Sequence, residues 1–112
     1  MKPTRMRRSP RTAPIALALL LGAATAPALA NQALASKYSC LACHAAATKL
    51  VGPAYKDVAA KYKDDNDAVA TLVKSIRNGG SGRWGDMAMP PQPQVSEADA
   101  KKLAEWILGG AK

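Results

Sequence analysis

Apolar positions along the chain form one continuous run near the start and several shorter stretches spaced three and four residues apart. The run, IALALLLGAA, covers residues 15–24. Beyond it, Leu34 and Tyr38 lie four apart, and Tyr55, Val58, Ala59 and Tyr62 fall on one helical face. Val69, Leu72, Val73 and Ile76 make a second stripe, and Leu103, Trp106 and Ile107 a third. This spacing predicts helices near 32–38, 54–63, 67–78 and 96–108. No stretch alternates in the manner of a half-buried strand, so the expected fold is all-α, with about four helices.

Punctuation residues agree with those boundaries. Pro53 stands where a missing N–H does no harm at a helix start, and Asp65 or Asn66 can cap the third helix. Gly79-Gly80 stops that helix. Ser96-Glu97-Ala98-Asp99 resembles a capping box with Asp in the place of Glu, and Gly109-Gly110 ends the helix it opens. The loop between the last two helices, 79–95, contains four glycines and three prolines. It is too long for a mere connection in so small a domain, and long ordered loops usually serve function.

Charge divides the chain differently. Lys2, Arg5, Arg7, Arg8 and Arg11 precede the apolar run, no acid occurs before Asp57, and Ala28-Leu29-Ala30 offers the small residues a signal peptidase needs. Residues 1–30 are therefore expected to be a cleaved signal peptide, leaving one domain, 31–112. A retained membrane anchor is the competing reading, but Pro14, Thr25 and Pro27 interrupt a segment that would need about 20 strongly apolar residues. Arg7-Arg8 is followed by Ser9-Pro10 rather than the bulky apolar pair of a twin-arginine signal, and reads as ordinary leader charge.

Without the five leader cations, eleven Lys and Arg face eight Asp and Glu, a net charge of +3 in place of +8. Those cations are scattered among Asp57, Asp64, Asp65 and Asp67 and form no basic stripe, which argues against a nucleic-acid partner. Moderate steering toward an acidic protein surface fits better. The mature chain also has no Phe and many Ala, so its helices alone give a thin core. A small domain of this kind needs a staple, and a flat, apolar, covalently held cofactor would be one.

Cys40-Leu41-Ala42-Cys43-His44 supplies the chemistry for it, because C-x-x-C-H is the attachment signature of c-type haem. Thiols three positions apart on a helical turn face one side, where each can add to a haem vinyl group, and His44 can then bind iron as the proximal ligand. A structural zinc site needs four ligands, and the two cysteines and single histidine fall short of that. A thioredoxin-like dithiol would need a β-α-β pattern, and a structural disulfide here would close only a tiny loop. Export favours haem, since c-type attachment takes place outside the bacterial cytoplasm.

A second iron ligand is expected from far along the chain. Met87 and Met89 are the only methionines after the leader, and both lie in the long loop. Pro90 biases Met89 toward extended backbone and Pro91 stiffens the chain beyond it, which favours Met89 over Met87 as the ligand. The other methionine would pack against the ring.

In its runs Cys40 to His44, Val51-Gly52-Pro53-Ala54-Tyr55-Lys56-Asp57-Val58-Ala59-Ala60-Lys61, Trp84-Gly85 and Met89-Pro90-Pro91, the chain resembles the small class I bacterial cytochromes c of the cytochrome c-551 (cytochrome c8) type. That resemblance implies a class I fold of about four helices wrapped around one haem c, attached through Cys40 and Cys43, with His44 and Met89 as axial ligands. It implies that the Pro53 carbonyl accepts the Nδ1–H of His44 and that Trp84 donates its indole N–H to a haem propionate. Apart from the resemblance, Pro53 is only a helix starter and Trp84 a partly buried aromatic. Trp106 reads as core.

Two positions depart from the family. Gln92 stands where relatives can have Asn near the methionine sulfur, and Ser75 where some place a cation near a propionate. The implied function is a periplasmic, monomeric, single-electron carrier with no catalytic residue. It would meet transient redox partners, such as a nitrite reductase, terminal oxidase or peroxidase, or a cytochrome bc1-type donor. Rival classes are a haem enzyme or gas sensor, which would need an open iron position, and a fixed subunit of a respiratory complex.

Overall fold

The computed structural model describes residues 1–3, 9–10, 12–14, 22 and 27–112. Among them the apolar stripes become four α-helices: α1 (Pro27–Lys37), α2 (Tyr55–Tyr62), α3 (Ala68–Asn78) and α4 (Glu97–Leu108). A short 3-10 turn, Cys40–Ala42, lies between α1 and α2. The only extended pairing among the described residues is an isolated antiparallel bridge between Gly80 and Met89. No helix among them is long and apolar enough to cross a membrane.

The last three helices lie where the spacing put them, whereas α1 begins at Pro27 rather than near residue 32. Its early turns hold Ala28, Leu29 and Ala30, which favour helix, and Pro27 is tolerated at a first helical position. The helix therefore runs through the expected leader boundary. The leader's apolar run lies outside the described residues, apart from Gly22.

Helix ends show where side chains went elsewhere. Ser96 accepts the Asp99 backbone N–H at 3.1 Å, capping α4. The reciprocal half of the capping box is missing, because the Asp99 carboxylate accepts the Tyr38 hydroxyl at 2.7 Å instead. Before α3 it is Asp67, not Asp65 or Asn66, that takes the cap position, and it makes no side-chain cap. Asp65 instead accepts the Asp67 N–H at 2.8 Å.

α4 packs on α1, α2 and α3 and carries the centre of the core. Ala100, Leu103, Ala104, Trp106 and Ile107 are buried against Ala35, Tyr55, Val58, Leu72, Ile76 and Val95. Leu103 is almost wholly enclosed, and burying a side chain of that size contributes about 2 kcal/mol. Trp106 is core, as its spacing implied, and meets Tyr55 edge-on with centroids 5.5 Å apart. Its Nε1–H finds no acceptor among the described residues.

Candidate functional site

The apolar faces of α2, α3 and α4 do not close on one another. Between them lies a cavity of about 450 Å³, walled by Tyr55, Val58, Leu72, Ile76, Leu103 and Ile107. The thin core is thus built around a space of ligand size, within the roughly 300–1,000 Å³ of small-molecule sites. Cys40, Cys43, His44, Pro53, Trp84 and Met89 all line this one cavity.

The chain reaches the first of these through Ser39, whose φ of 59° reverses the backbone after α1. The N–H groups of Cys43 and His44 both donate to the Cys40 carbonyl, at 3.2 and 3.0 Å, winding the motif into one tight turn. No disulfide joins the two cysteines, and burial pushes the Cys40 thiol above its ordinary range.

His44 is held on three sides. Its Nδ1 lies 2.8 Å from the Pro53 carbonyl oxygen. A proton on Nδ1 donated to that oxygen leaves Nε2 as the nitrogen with a lone pair for a metal. Tyr55 stacks on the ring with centroids 5.2 Å apart and planes inclined by 16°. Gly52 forms the third side: a Cβ there would run into the imidazole, at Cε1 most severely. The Gly52 N–H donates to the Cys43 carbonyl at 2.7 Å, and the Tyr55 N–H to the Ala45 carbonyl at 2.9 Å, so backbone bonds tie the motif to the start of α2. Burial pushes the Tyr55 phenol far up, and it stays neutral.

Met89 reaches the cavity from the long loop. Gly80 and Met89 exchange two backbone hydrogen bonds, at 3.0 and 2.8 Å, and the Gln92 N–H donates to the carbonyls of Ile76 and Arg77 at 3.2 Å. The segment is thereby fastened to the end of α3. Gly79, with φ of 68°, lets it approach so closely that a Cβ would strike the Met89 carbonyl. Met87 also lines the cavity but is 66 % exposed. The Gln92 side chain is engaged locally, donating to the Pro90 carbonyl at 3.4 Å and accepting from Gln94 at 2.6 Å.

Trp84 is half-buried beneath Lys61, whose Nζ sits 4.4 Å from the ring centroid. Sequence reasoning missed Gly52 and Tyr55 as parts of the histidine seat, and Arg83 beside Trp84. Only the Gly52-Pro53 pair carried a signal, as turn punctuation close behind the motif.

The family model for Cytochrome c matches residues 28–111. This chain belongs to the cytochrome c family. It is 56% identical over 81 residues to cytochrome c-552 of Nitrosomonas europaea, an alignment covering 72% of this chain and 79% of that protein. It is 51% identical over 82 residues to cytochrome c-551 of Allochromatium vinosum, covering 73% and 87%. The crystal structure of wild-type Nitrosomonas europaea cytochrome c552 superposes with a TM-score of 0.69 at 55% identity, covering 70% of this chain and 96% of that one.

The fold is that of a class I cytochrome c, and the protein is a monohaem electron carrier rather than an enzyme. Its cofactor is one haem c, bound through the cysteine pair Cys40 and Cys43. The residues fit that group: two thiols and an imidazole border a mainly apolar cavity, and the Gly52 cradle leaves the ring room that any side chain would fill.

Proposed function

We propose that this cytochrome c is a periplasmic one-electron carrier in which His44 and Met89 hold the haem iron. The observation that carries the reading is the paired backbone bonding of Gly80 and Met89, which holds a thioether-bearing residue at the cavity that also receives the His44 ring. Met87, two residues earlier and largely in solvent, has no such anchorage.

Bound haem supplies a one-electron ferrous/ferric couple, whose potential rises under Met/His ligation. The chain's own residues set the conditions for it. The Pro53 carbonyl fixes the His44 ring and makes its free nitrogen a better donor. Met89 brings a soft sulfur that favours the ferrous state, and the walls from α2, α3 and α4 exclude water. Lys49, Val51 and Met87 are exposed where they border the cavity, and form a mixed basic and apolar rim. Partners would meet that rim over a small, short-lived interface. A nitrite reductase, terminal oxidase or peroxidase would accept the electron, and a cytochrome bc1-type complex would donate it. Residues 1–30 direct export and are removed.

Intact mass spectrometry of protein from periplasmic extract tests both parts of the location: the expected product begins at Asn31 and is heavier than its chain by one haem. For ligation, Met89→Ala is expected to abolish the far-red sulfur-to-iron band and lower the potential, while Met87→Ala does neither. The reverse pattern would assign the wrong methionine.

A further inference from the structure

At one edge of the cavity the loop after α3 presents Arg83 next to Trp84. The Arg83 Nη1 donates to the Ser75 hydroxyl at 2.6 Å, and Ser75 donates in turn to the Thr71 carbonyl at 3.1 Å. The body of α3 therefore decides where the guanidinium sits. From the other side Lys61, in the last turn of α2, donates to the Arg83 carbonyl at 2.7 Å while its ammonium lies over the Trp84 ring. The backbone of this corner is pinned by one cation, and the side chain of the other is pinned by a helix.

Those hydrogen bonds go to neutral oxygens, a hydroxyl and a carbonyl, and leave both charges uncompensated by them. A guanidinium has five N–H donors arranged as a planar fork suited to a carboxylate. Ser75 engages one end of it, so the remaining donors are available to an anion at the cavity edge. The cofactor of this family brings such anions, because haem carries two propionate carboxylates on an otherwise apolar ring. Where they meet the protein they need a donor or a cation.

The charged side chains lining the cavity are Lys49, Arg83 and Asp86, while α3 and α4 line it with Leu72, Ser75, Ile76, Leu103 and Ile107. His44, Tyr38, Tyr55 and Tyr62 are the other titratable groups there besides the two thiols, and they lie with the cysteine motif and α2. Of the two lining cations, Arg83 is the one whose head group the structure fastens in place.

We propose that Arg83, seated by Ser75, is the cation that faces a haem propionate at the Trp84 edge of the cavity. This rests on the reading of the cavity as the haem site. Arg83 is then a positioning and charge-compensating residue: it favours the ionised propionate and so holds its protonation to lower pH. An opposite charge at close range lowers a carboxyl pKa by about 1–3 units, and the exposure of Arg83 places its effect near the lower end, about one unit.

The test uses the haem-loaded protein and its reduction potential measured from pH 4 to 8. Protonation of a propionate raises the potential, so each curve has a step on its acid side. Arg83→Gln is expected to move that step upward by about one pH unit, and Arg83→Lys to leave most of it in place. Ser75→Lys added to Arg83→Gln, which restores a cation beside the same site, is expected to bring the step back. Lys102→Gln, on the exposed face of α4, removes an equal charge and is expected to leave the step unmoved. The proposal is overturned if haem is attached and the step is the same in Arg83→Gln as in the parent, or if Lys102→Gln shifts it equally. A parent protein without covalent haem in its pyridine haemochrome spectrum would instead overturn the haem reading itself.

Discussion

Tyr38 donates its hydroxyl to the Asp99 carboxylate at 2.7 Å, joining two residues 61 positions apart in the chain. Tyr38 follows α1 and borders the cavity, and Asp99 lies in the first turn of α4, where the helix dipole favours a carboxylate. The bond ties the residue that follows α1 to the first turn of α4. It also pushes the Tyr38 phenol above its ordinary value of 10.0, chiefly through that hydrogen bond to Asp99. Because folding raises this pKa, the contribution is complete below about pH 10 and is lost as pH climbs through the raised value. Tyr38→Phe is expected to melt at lower temperature at neutral pH and to lose less stability than the parent above pH 10. Circular dichroism melts from pH 7 to 11.5 decide it, and parallel curves for the two proteins would count against the bond.

The Gly52 cradle predicts a sharper defect. In Gly52→Ala the new methyl occupies the space of the His44 ring, so the imidazole must leave its seat on Pro53 or the backbone must shift. Overpacking of this kind costs about 1–3 kcal/mol. Denaturant titration should show that loss together with an altered histidine signal in the NMR spectrum of the haem-loaded protein. Val51→Ala, at an exposed neighbour, should stay within about 0.5 kcal/mol of the parent.

Periodicity made α2, α3 and α4 legible because each carries one apolar stripe, with α2 and α3 packed on α4 and the three faces turned to a common cavity, and the absence of Phe pointed to the space between them. The cysteine motif and the Met-Pro-Pro run were legible because their chemistry is local in sequence. The features that escaped depended on tertiary neighbours. Asp99 fits the capping pattern, yet Tyr38 arrives from the other end of the chain and takes its carboxylate. Gly52 reads as a turn residue until His44 is seen to fill the space beside it. Ser75 looked like the loss of a charge, and only the folded loop shows Arg83 reaching the same spot. α1 started early because Ala and Leu favour helix by their intrinsic propensity, which the spacing of apolar residues does not register.

Two loop glycines separate a steric requirement from a conformational one. Gly79 and Gly82 both have positive φ, 68° and 84°, but only at Gly79 would a Cβ meet the backbone of Met89, Pro90 and Pro91. Gly82→Ala should cost only its left-handed backbone, about 1 kcal/mol. Gly79→Ala should cost about 1–3 kcal/mol more and should also weaken the far-red sulfur-to-iron band, because the segment carrying Met89 is pushed off α3. Equal effects of the two substitutions would mean that close approach at Gly79 does not hold the methionine.

Ligand access distinguishes a carrier from a gas-binding protein. If His44 and Met89 both bind iron, no position is open to a diatomic molecule, and carbon monoxide should bind the ferrous protein poorly at neutral pH. Release of Met89 is opposed by several linked contacts: its two backbone hydrogen bonds to Gly80, the fastening of Gln92 to the end of α3, and the stiffness of Pro90-Pro91. Leaving would also open apolar surface around Leu72, Ile76 and Leu103 to water, at about 25 cal/mol for each Å² exposed. Met89→Ala removes the competing sulfur and should convert slow, incomplete uptake into rapid, stoichiometric binding in a flash-photolysis or stopped-flow experiment. Met87→Ala should behave as the parent does, since that side chain is already in solvent. Rapid stoichiometric uptake by the unmodified protein would show that the loop does not keep Met89 on the iron, and the carrier reading would give way to that of a sensor.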